Sequence, residues 1–368
     1  QITAEDVEII ARQLYIEMLK AGYTRVAEFH YLHHDIGGGF YDDPIRMAQA
    51  IVKAGDSTGI GVTLLPVLYQ YSGFGGLAPE TAQQRFIHSP AQFSQLITAC
   101  FAMTQQYSNV NLGIAPHSLR AVDADALNRV VDHVRSLDRL APIHIHIAEQ
   151  QQEVTDSLQY FGQRPVQWLM HNMPVDQHWC LIHATHINAE ERQAIIAQQA
   201  VVGICPTTEA NLGDGIFPAL EFCSAQGRFA IGSDSHISVN PIEELRWLEY
   251  SQRLVKQQRV LLAEQGGLSL GSHLWQAAAL GGAQSTASNT GSLAVGKQAD
   301  LLVLDDQQLN LFAYDEQNIL DSVIFASRNS LIKDVMVQGR WVVQNGQHQC
   351  QRESASEFSL LLQRLFKR

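Results

Sequence analysis

The feature that most restricts the fold of this chain is a repeated alternation of short apolar strands with helices. Predicted strands cover 25–29, 59–68, 110–114, 142–148, 179–183, 201–205 and 228–233, with helical patterns between them. Such alternation predicts a parallel sheet with crossover helices. Because the strands are apolar on both faces, we expect the wall of a (β/α)₈ barrel. The pattern opens on a helix at 5–21, so we expect the missing eighth strand to be the first.

The pattern changes after Thr290. A strand at 301–304 is followed by a hairpin at 334–344, with a tight turn at Gly339 and Arg340, and then by a helical tail at 354–366. We therefore predict a barrel domain over 1–285, part of a small β domain over 286–350 and a C-terminal helix over 351–368.

Composition and charge exclude several classes of function. The chain has 25 basic and 37 acidic residues, a net charge of −12, and no basic stripe, so we expect no nucleic-acid partner. No apolar run reaches the roughly 18 residues that a membrane-spanning helix needs. The five cysteines are far apart and form no C-x-x-C pair, which favours a reducing, cytoplasmic compartment. An anionic substrate would need a local cationic pocket in this acidic protein.

Three strand ends carry residues suited to metal chemistry. His144 and His146 share one face of the strand at 142–148, and Glu149 follows just past its end. His183 ends the next strand, and Asp234 follows the strand at 228–233. Each taken alone is also compatible with a structural role, as a hydrogen-bonded core histidine or a helix cap. Together they favour a site for Zn²⁺ or a similar divalent ion, which imidazole and carboxylate ligands suit.

These motifs resemble those of a known family. The order H-x-x-E, then His, then Asp, with a closing G-x-L-x-x-G-x-x-A-D-L, resembles the deaminase branch of the amidohydrolase superfamily. Within that branch, five stretches resemble the N-formimidoyl-L-glutamate deiminases of histidine degradation: 116–120, 144–150, 183–186, 208–215 and 232–236. The resemblance covers nearly the whole chain, and it implies a TIM-type barrel with part of a small β-sandwich domain.

The resemblance also implies roles for the catalytic residues. His146 is expected to bind one divalent metal ion, Zn²⁺ being the expected metal, and Asp234 to act as both ligand and proton acceptor. Glu149 is expected to carry a proton to the substrate nitrogen, and His183 to polarise or orient the attacked centre. The expected reaction is hydrolysis of N-formimidoyl-L-glutamate to N-formyl-L-glutamate and ammonia.

The expected partner is a small-molecule dicarboxylate. Arg120 is the predicted clamp for one carboxylate, because guanidinium binds carboxylate in a bidentate manner. A surface arginine is the alternative interpretation. His117 and Tyr31 resemble the family's other substrate contacts, and His30, His33 and His34 are interpreted as loop residues near the substrate. A homodimer is compatible with the sequence.

The chain departs from the family at its start. Family members carry an H-x-H pair after the first barrel strand, and no such pair occurs before Gln1, so we expect this chain to lack that N-terminal segment and to bind metal weakly. Two alternatives stay open at this point. One is a purine or triazine deaminase of the same branch, and the other is a catalytically inactive barrel fragment.

Overall fold

The structure, a computed structural model, describes residues 1–263, 267–307, 317–327 and 331–366. The chain divides into two compact units. The first comprises Gln1–His144 and Asp334–Arg368, and the second comprises Ile145–Lys333. None of the helices in the described ranges is both long and apolar enough to cross a membrane.

The first unit contains a parallel sheet in the order β1-β2-β3, with β4 also paired to β2. The strands are β1 (Arg25–His30), β2 (Gly61–Leu68), β3 (Val110–Leu112) and β4 (Ala115–Pro116). The helices are α1 (Ala4–Ala21), α2 (Arg46–Thr58), α3 (Pro90–Thr104) and α4 (Ala124–Leu137). Strand β2 is buried along its whole length, as expected for the centre of a covered parallel sheet.

Local sequence signals explain where these helices begin and end. Thr3 and Asp6 form a capping box at the start of α1, and Gly22 ends it in the left-handed region at φ 107°. Ser89 caps α3, with Pro90 in the first turn. Tyr15 of α1 is fully buried, so α1 is fixed through its apolar face.

The end of the chain completes the first unit. It forms β10 (Ile332–Val337), β11 (Arg340–Gln344), β12 (Gln347–His348) and α13 (Gln351–Phe366). The turn of the predicted hairpin lies one residue earlier than expected, at Gln338 (φ 49°) and Gly339 (φ 76°). A two-residue turn with positive φ at both positions matches the twist of the strands, which explains the shift. Helix α13 is joined to α1 by the Arg12–Glu357 ion pair at 2.6 Å.

The second unit contains the parallel sheet β5-β6-β7-β8. Its strands are β5 (Ile143–Ile147), β6 (Trp179–His183), β7 (Val201–Ile204) and β8 (Arg228–Ile231), followed later by β9 (Leu301–Leu304). Its helices are α5 (Gln151–Phe161), α6 (Pro165–Asn172), α7 (Ala189–Ala197), α8 (Pro206–Leu212), α9 (Ala219–Ser224), α10 (Pro241–Lys256), α11 (Leu270–Ser285) and the single turn α12 (Ile319–Asp321). The predicted strand–helix alternation is confirmed.

The helices differ from prediction in several places. Helices α5, α8 and α9 were not predicted, and residues 80–86, whose sequence has a helical pattern, form only the 3-10 turn Thr81–Gln83. Helix α10 ends at Lys256, although helical periodicity continues to 265. The reason is the buried Glu249, whose carboxylate accepts hydrogen bonds from the backbone N–H groups of Leu261 and Leu262 and so turns the chain back. Residues 264–266 lie outside the described ranges.

A glycine sets the distance between α11 and β8. A Cβ at Gly281 would lie 1.8 Å from the carbonyl oxygen of Phe229, so only glycine allows this approach. The next residue, Gly282, has nothing within 4 Å of its Cβ position. Helix α11 therefore packs directly on the backbone of β8, the strand that leads to Asp234.

Candidate active site

Strained backbone marks the carboxyl ends of β5, β6 and β8. Four residues there have left-handed φ angles, although none is glycine: Ala148 (50°), His183 (67°), Ala184 (48°) and Asp234 (46°). Such conformations cost on the order of 1–3 kcal/mol each and cluster at functional sites. All four of these positions are, or adjoin, residues that the sequence predicts to be catalytic.

The end of β5 presents His146 and Glu149. The buried Glu153 stabilises the turn that carries Glu149. Its carboxylate accepts hydrogen bonds from the N–H groups of Ala148 (3.0 Å) and Glu149 (3.1 Å). These two hydrogen bonds fix the backbone of the turn and so the point from which the Glu149 side chain starts. The Glu149 side chain itself is 13% exposed.

His183 lies at the centre of a cluster of acidic side chains. Its fully buried ring has Nε2 3.6 Å from Glu149 Oε1 and 4.0 Å from Asp234 Oδ2. On the other side, Nδ1 lies 3.2 Å from Glu209 Oε1. We call these four residues the carboxylate–histidine group. The structure therefore brings the three predicted catalytic residues together, and the His146 ring lies 5.6 Å from the ring of His183.

Burial and the surrounding carboxylates shift the pKa of His183 in opposite directions. Burial alone lowers the pKa of His183, but the hydrogen bond to Glu209 and the charges of Glu149, Glu209 and Asp234 outweigh that effect. The net result is a pKa above the ordinary value for histidine.

Glu209 is the member that the sequence prediction missed. It lies in the first turn of α8, a helix that begins with Pro206, and its Oε1 also accepts the N–H of Cys205 at 2.9 Å. Glu209 follows Cys205 by four residues, just as Glu153 follows Glu149. A glutamate one helical turn past a strand end was therefore a signal that could have identified both.

Asp234 sits on a turn anchored by Thr208. The Thr208 hydroxyl donates to the carbonyl of Ser233 (2.6 Å) and accepts from the N–H of His236 (3.0 Å). The Asp234 side chain keeps 33% of its surface exposed. It can thus reach solvent or a ligand while its backbone is fixed.

The geometry supports only part of the predicted metal site. Across the ranges that the structure describes, no three His, Cys, Asp or Glu side chains are close enough together to hold a metal ion. His146 and Asp234 provide one imidazole and one carboxylate, the ligand types that zinc binds. They would therefore supply part of a ligand set.

The first unit holds a different group of buried histidines. His30, His33, His34 and His88 pack ring against ring, and we call them the histidine cluster. The centroids of His33 and His88 are 4.7 Å apart, and those of His34 and His88 are 4.5 Å apart. The ring Nε2 atoms of His33 and His34 contact the backbone carbonyls of Val67 and Ile87.

Burial keeps His30, His33 and His88 of this cluster neutral by lowering the pKa of each ring. It lowers the pKa of His30 to about 4, with a further contribution from His88, and it lowers that of His88 to about 2, with His33 and His34 adding to the effect. His33 and His34 follow β1, as the interpretation as loop residues expects, whereas that interpretation is wrong for His30, which is the last residue of β1 because the strand continues pairing with β2 up to Pro66. His88 joins them from a later segment. Their proximity to the substrate stays a prediction.

The other predicted substrate residues also lie in the first unit. His117 packs edge-on against Tyr31 (5.8 Å) and Tyr69 (4.7 Å), and Phe86 contacts both tyrosines. We call these four side chains the aromatic group. Burial and the charge of Arg120 lower the pKa of His117 to about 3, so its ring is neutral.

Arg120 is a half-buried cation without a counter-ion in the described part of the chain. No hydrogen bond or ion pair joins its guanidinium to a described residue. Its charge nevertheless acts on His117 and Tyr69, so it lies beside the aromatic group. An unpaired, partly desolvated guanidinium is suited to bind an anion. Tyr31, His117 and Arg120 are therefore brought together as predicted, and their roles stay predictions.

Comparisons with known proteins agree with these observations. The sequence profile of the amidohydrolase family matches residues 2–342. The chain is 48% identical over 362 residues to formimidoylglutamate deiminase of Pseudomonas aeruginosa, covering 98% of this chain and 79% of that protein. It is 28% identical over 353 residues to 8-oxoguanine deaminase of the same organism, covering 94% of this chain and 74% of the other.

Solved structures give the same result for the fold. A crystal structure of an amidohydrolase from Brucella melitensis matches with a TM-score of 0.93 and 44% identity, covering 100% of this chain and 80% of that one. An adenosine deaminase from Xanthomonas campestris with bound zinc matches with a TM-score of 0.82, covering 99% and 76% of the two chains. At 22% identity, the latter shows the fold alone. The predicted fold class, an amidohydrolase-type (β/α)₈ barrel, is confirmed.

Proposed function

This chain belongs to the amidohydrolase family, and on that premise we propose that it hydrolyses N-formimidoyl-L-glutamate to N-formyl-L-glutamate and ammonia. The observation that carries the reaction type is the carboxylate–histidine group, which places two carboxylates, Glu149 and Asp234, beside Nε2 of one buried imidazole. The choice of substrate is supported by the likeness to formimidoylglutamate deiminase over nearly the whole chain.

The proposed chemistry moves both protons of the attacking water to the imino nitrogen. Asp234 accepts the first proton as the water oxygen bonds to the formimidoyl carbon, and Glu149 delivers a proton to the imino nitrogen, which gives a tetrahedral intermediate with a hydroxyl and an amino group. The hydroxyl proton then passes to the amino nitrogen through these carboxylates, the formyl C=O forms as the carbon–nitrogen bond breaks, and ammonia leaves. His183 orients and polarises the attacked centre through Nε2, the ring atom that faces Glu149 and Asp234. General acid–base catalysis of this kind contributes about 10²–10⁴-fold to the rate.

We propose a divalent metal, Zn²⁺, as the cofactor, with His146 and Asp234 among its ligands. When bound, such an ion lowers the pKa of water to about 7 and so makes hydroxide available at neutral pH. The proposal is supported by the imidazole–carboxylate donor pair and by the zinc bound in the structurally similar adenosine deaminase.

We propose that Arg120 binds a carboxylate of the substrate and that Tyr31 and His117 contact the substrate beside it. The support is the guanidinium without a counter-ion among the described residues, next to a neutral, half-buried imidazole and two tyrosine rings. A dicarboxylate entering a protein of net charge −12 needs such a fixed positive charge. The five free cysteines support the further proposal of a cytoplasmic location.

A purine deaminase is the second candidate, because the aromatic group offers ring faces on which a base could stack. The unpaired Arg120 favours the dicarboxylate instead. Purified, metal-loaded protein is therefore assayed with formimidoyl-glutamate, with a neutral N-formimidoyl alkylamine and with 8-oxoguanine. We expect ammonia release from the first at a kcat/KM at least 10²-fold above the others, which corresponds to about 2.7 kcal/mol. Preference for the purine would refute the substrate assignment.

A further inference from the structure

We infer that Glu209 is a positioning residue for the reaction, because its carboxylate fixes His183 in one ring orientation and one tautomer. Glu209 is not among the residues that the sequence predicts to be catalytic, substrate-binding or metal-binding. The inference rests on the proposed function, because a fixed orientation of the His183 ring matters only for the reaction in which that ring takes part.

The contact itself determines the tautomer. Glu209 Oε1 lies 3.2 Å from His183 Nδ1, and both side chains are almost completely buried. An ionised carboxylate only accepts hydrogen bonds, so Nδ1 must carry the proton. Nε2 is then the ring atom left for chemistry. It is buried and has no hydrogen-bond partner among the described residues, and it faces Glu149 and Asp234.

Glu209 is itself held rigidly. The oxygen that meets His183 also accepts the N–H of Cys205, at the end of β7. The backbone carbonyl of Glu209 accepts the N–H groups of Gly213 and Asp214, which close the end of α8. The fold therefore fixes the position of the carboxylate. The carboxylate in turn fixes the ring of His183, a residue whose backbone is strained at φ 67°. Buried carboxylate–histidine pairs fix ring orientation in this way around many catalytic centres.

A purely structural role is the competing explanation, because Glu209 would cap α8 through Cys205 even without His183. The chemistry of Oε1 allows the two roles to be separated. Both hydrogen bonds end on this one oxygen, so the amide oxygen of glutamine can accept both. Glu209→Gln preserves the geometry and removes the charge, Glu209→Asp withdraws the carboxylate, and Glu209→Ala removes the acceptor.

The first experiment measures kcat, KM and metal content for these three variants. We expect Glu209→Gln to stay within about tenfold of wild type. We expect Glu209→Asp and Glu209→Ala to lose about 10²-fold in kcat with little change in KM, since a reacting group misplaced by about 1 Å costs that much. Glu249→Ala is the matched control, because Glu249 is equally buried and binds backbone N–H groups away from His183. It should lower Tm and leave kcat unchanged.

Two kinetic outcomes would overturn the inference. One is an unchanged kcat in Glu209→Ala, and the other is a Glu209→Gln variant as slow as Glu209→Ala, which would assign the effect to charge and not to position.

A second experiment does not depend on activity. Proton–nitrogen NMR of ¹⁵N-histidine-labelled protein should show a slowly exchanging Nδ1–H of His183 in wild type and in Glu209→Gln, absent in Glu209→Asp. Its absence from wild type would refute the inference even if the alanine variant does not fold. If the signal follows this pattern but wild type does not hydrolyse formimidoyl-glutamate, the proposed function fails and the positioning contact stands.

Discussion

Two buried groups of histidine in this protein have opposite character. His183 in the second unit is surrounded by three carboxylates, and its pKa is raised. The histidine cluster in the first unit is surrounded by its own rings, by Phe40 and by backbone carbonyls, and burial lowers the pKa of His30 and His88 well below the ordinary value. The pKa of a buried histidine is therefore raised where carboxylates surround it and lowered where burial acts without such partners.

The comparison teaches that the density of histidines is a poor guide to function. The cluster of four rings would be the first place to look for a metal, yet two of its members already bind backbone carbonyls through Nε2. The functional assignment falls instead on scattered residues at strand ends, His146, His183 and Asp234. The following predictions test this contrast.

The largest effect is expected from the proposed metal ligands. His146→Ala and Asp234→Ala should each lose bound divalent metal and activity together, because each removes one of the ion's ligands. His88→Phe, which changes the histidine cluster, should keep both. Metal content after dialysis, measured by elemental analysis, checks this. Stoichiometric metal in the first two variants, or its loss from the third, would reverse the comparison.

The next effect concerns proton transfer within the carboxylate–histidine group. Glu149→Gln should keep the metal and slow kcat by roughly 10²–10⁴-fold, the usual contribution of a general acid or base. The turn should survive the change, because Glu153 binds the backbone N–H of Glu149 and not its side chain. A normal kcat would show that Glu149 has only a structural role.

A somewhat smaller effect is expected from the cation of the first unit. Arg120→Met should lower kcat/KM for formimidoyl-glutamate by about 10²-fold, because a charge-assisted bond contributes about 1.5–3 kcal/mol and its loss leaves the substrate carboxylate unpaired. Metal content and the rate with a neutral formimidoyl amine should barely change. Arg139→Met, at an exposed arginine, is the control. Equal losses on both substrates would mean that Arg120 is structural.

The smallest effect is on stability. The unfolded chain protonates its histidines near pH 6.5, whereas folded His30 and His88 do so only near 4 and 2. The free energy of unfolding should therefore be fully retained above pH 6.5 and fall below it, by about 1.4 kcal/mol per pH unit for each of these histidines. Urea titrations from pH 7.5 to 5 should show a shallower fall for His88→Phe than for wild type. His171→Gln, at an exposed histidine, should show the same dependence of stability on pH as wild type. Identical slopes in wild type and both variants would contradict the assignment of His88 as a neutral side chain.

Sequence alone predicted the strands of both sheets well, because their apolar runs are bounded by clear turns. Strand β6 was predicted at its observed bounds, so the prediction also placed His183 correctly at the end of the strand. Helix α8 was missed because its seven residues are too few to show an amphipathic period. Glu209 was missed with it, since its role depends on a tertiary contact with His183. The contact of His88 with His33 also joins distant segments, which no local pattern shows.

The close approach of α11 to β8 has a practical consequence for engineering. Replacing helical glycines with alanine is a common route to thermostable variants, worth about 0.4–1 kcal/mol where the backbone allows it. Gly281 and Gly282 are adjacent in the same helix, and a consensus or library approach would treat them alike. The open site at Gly282 can accept a methyl group, whereas at Gly281 the methyl would collide with the backbone of Phe229. Because β8 leads to Asp234, the collision would strain the strand that positions the proposed proton acceptor, so Gly281 should be left out of any stabilisation library.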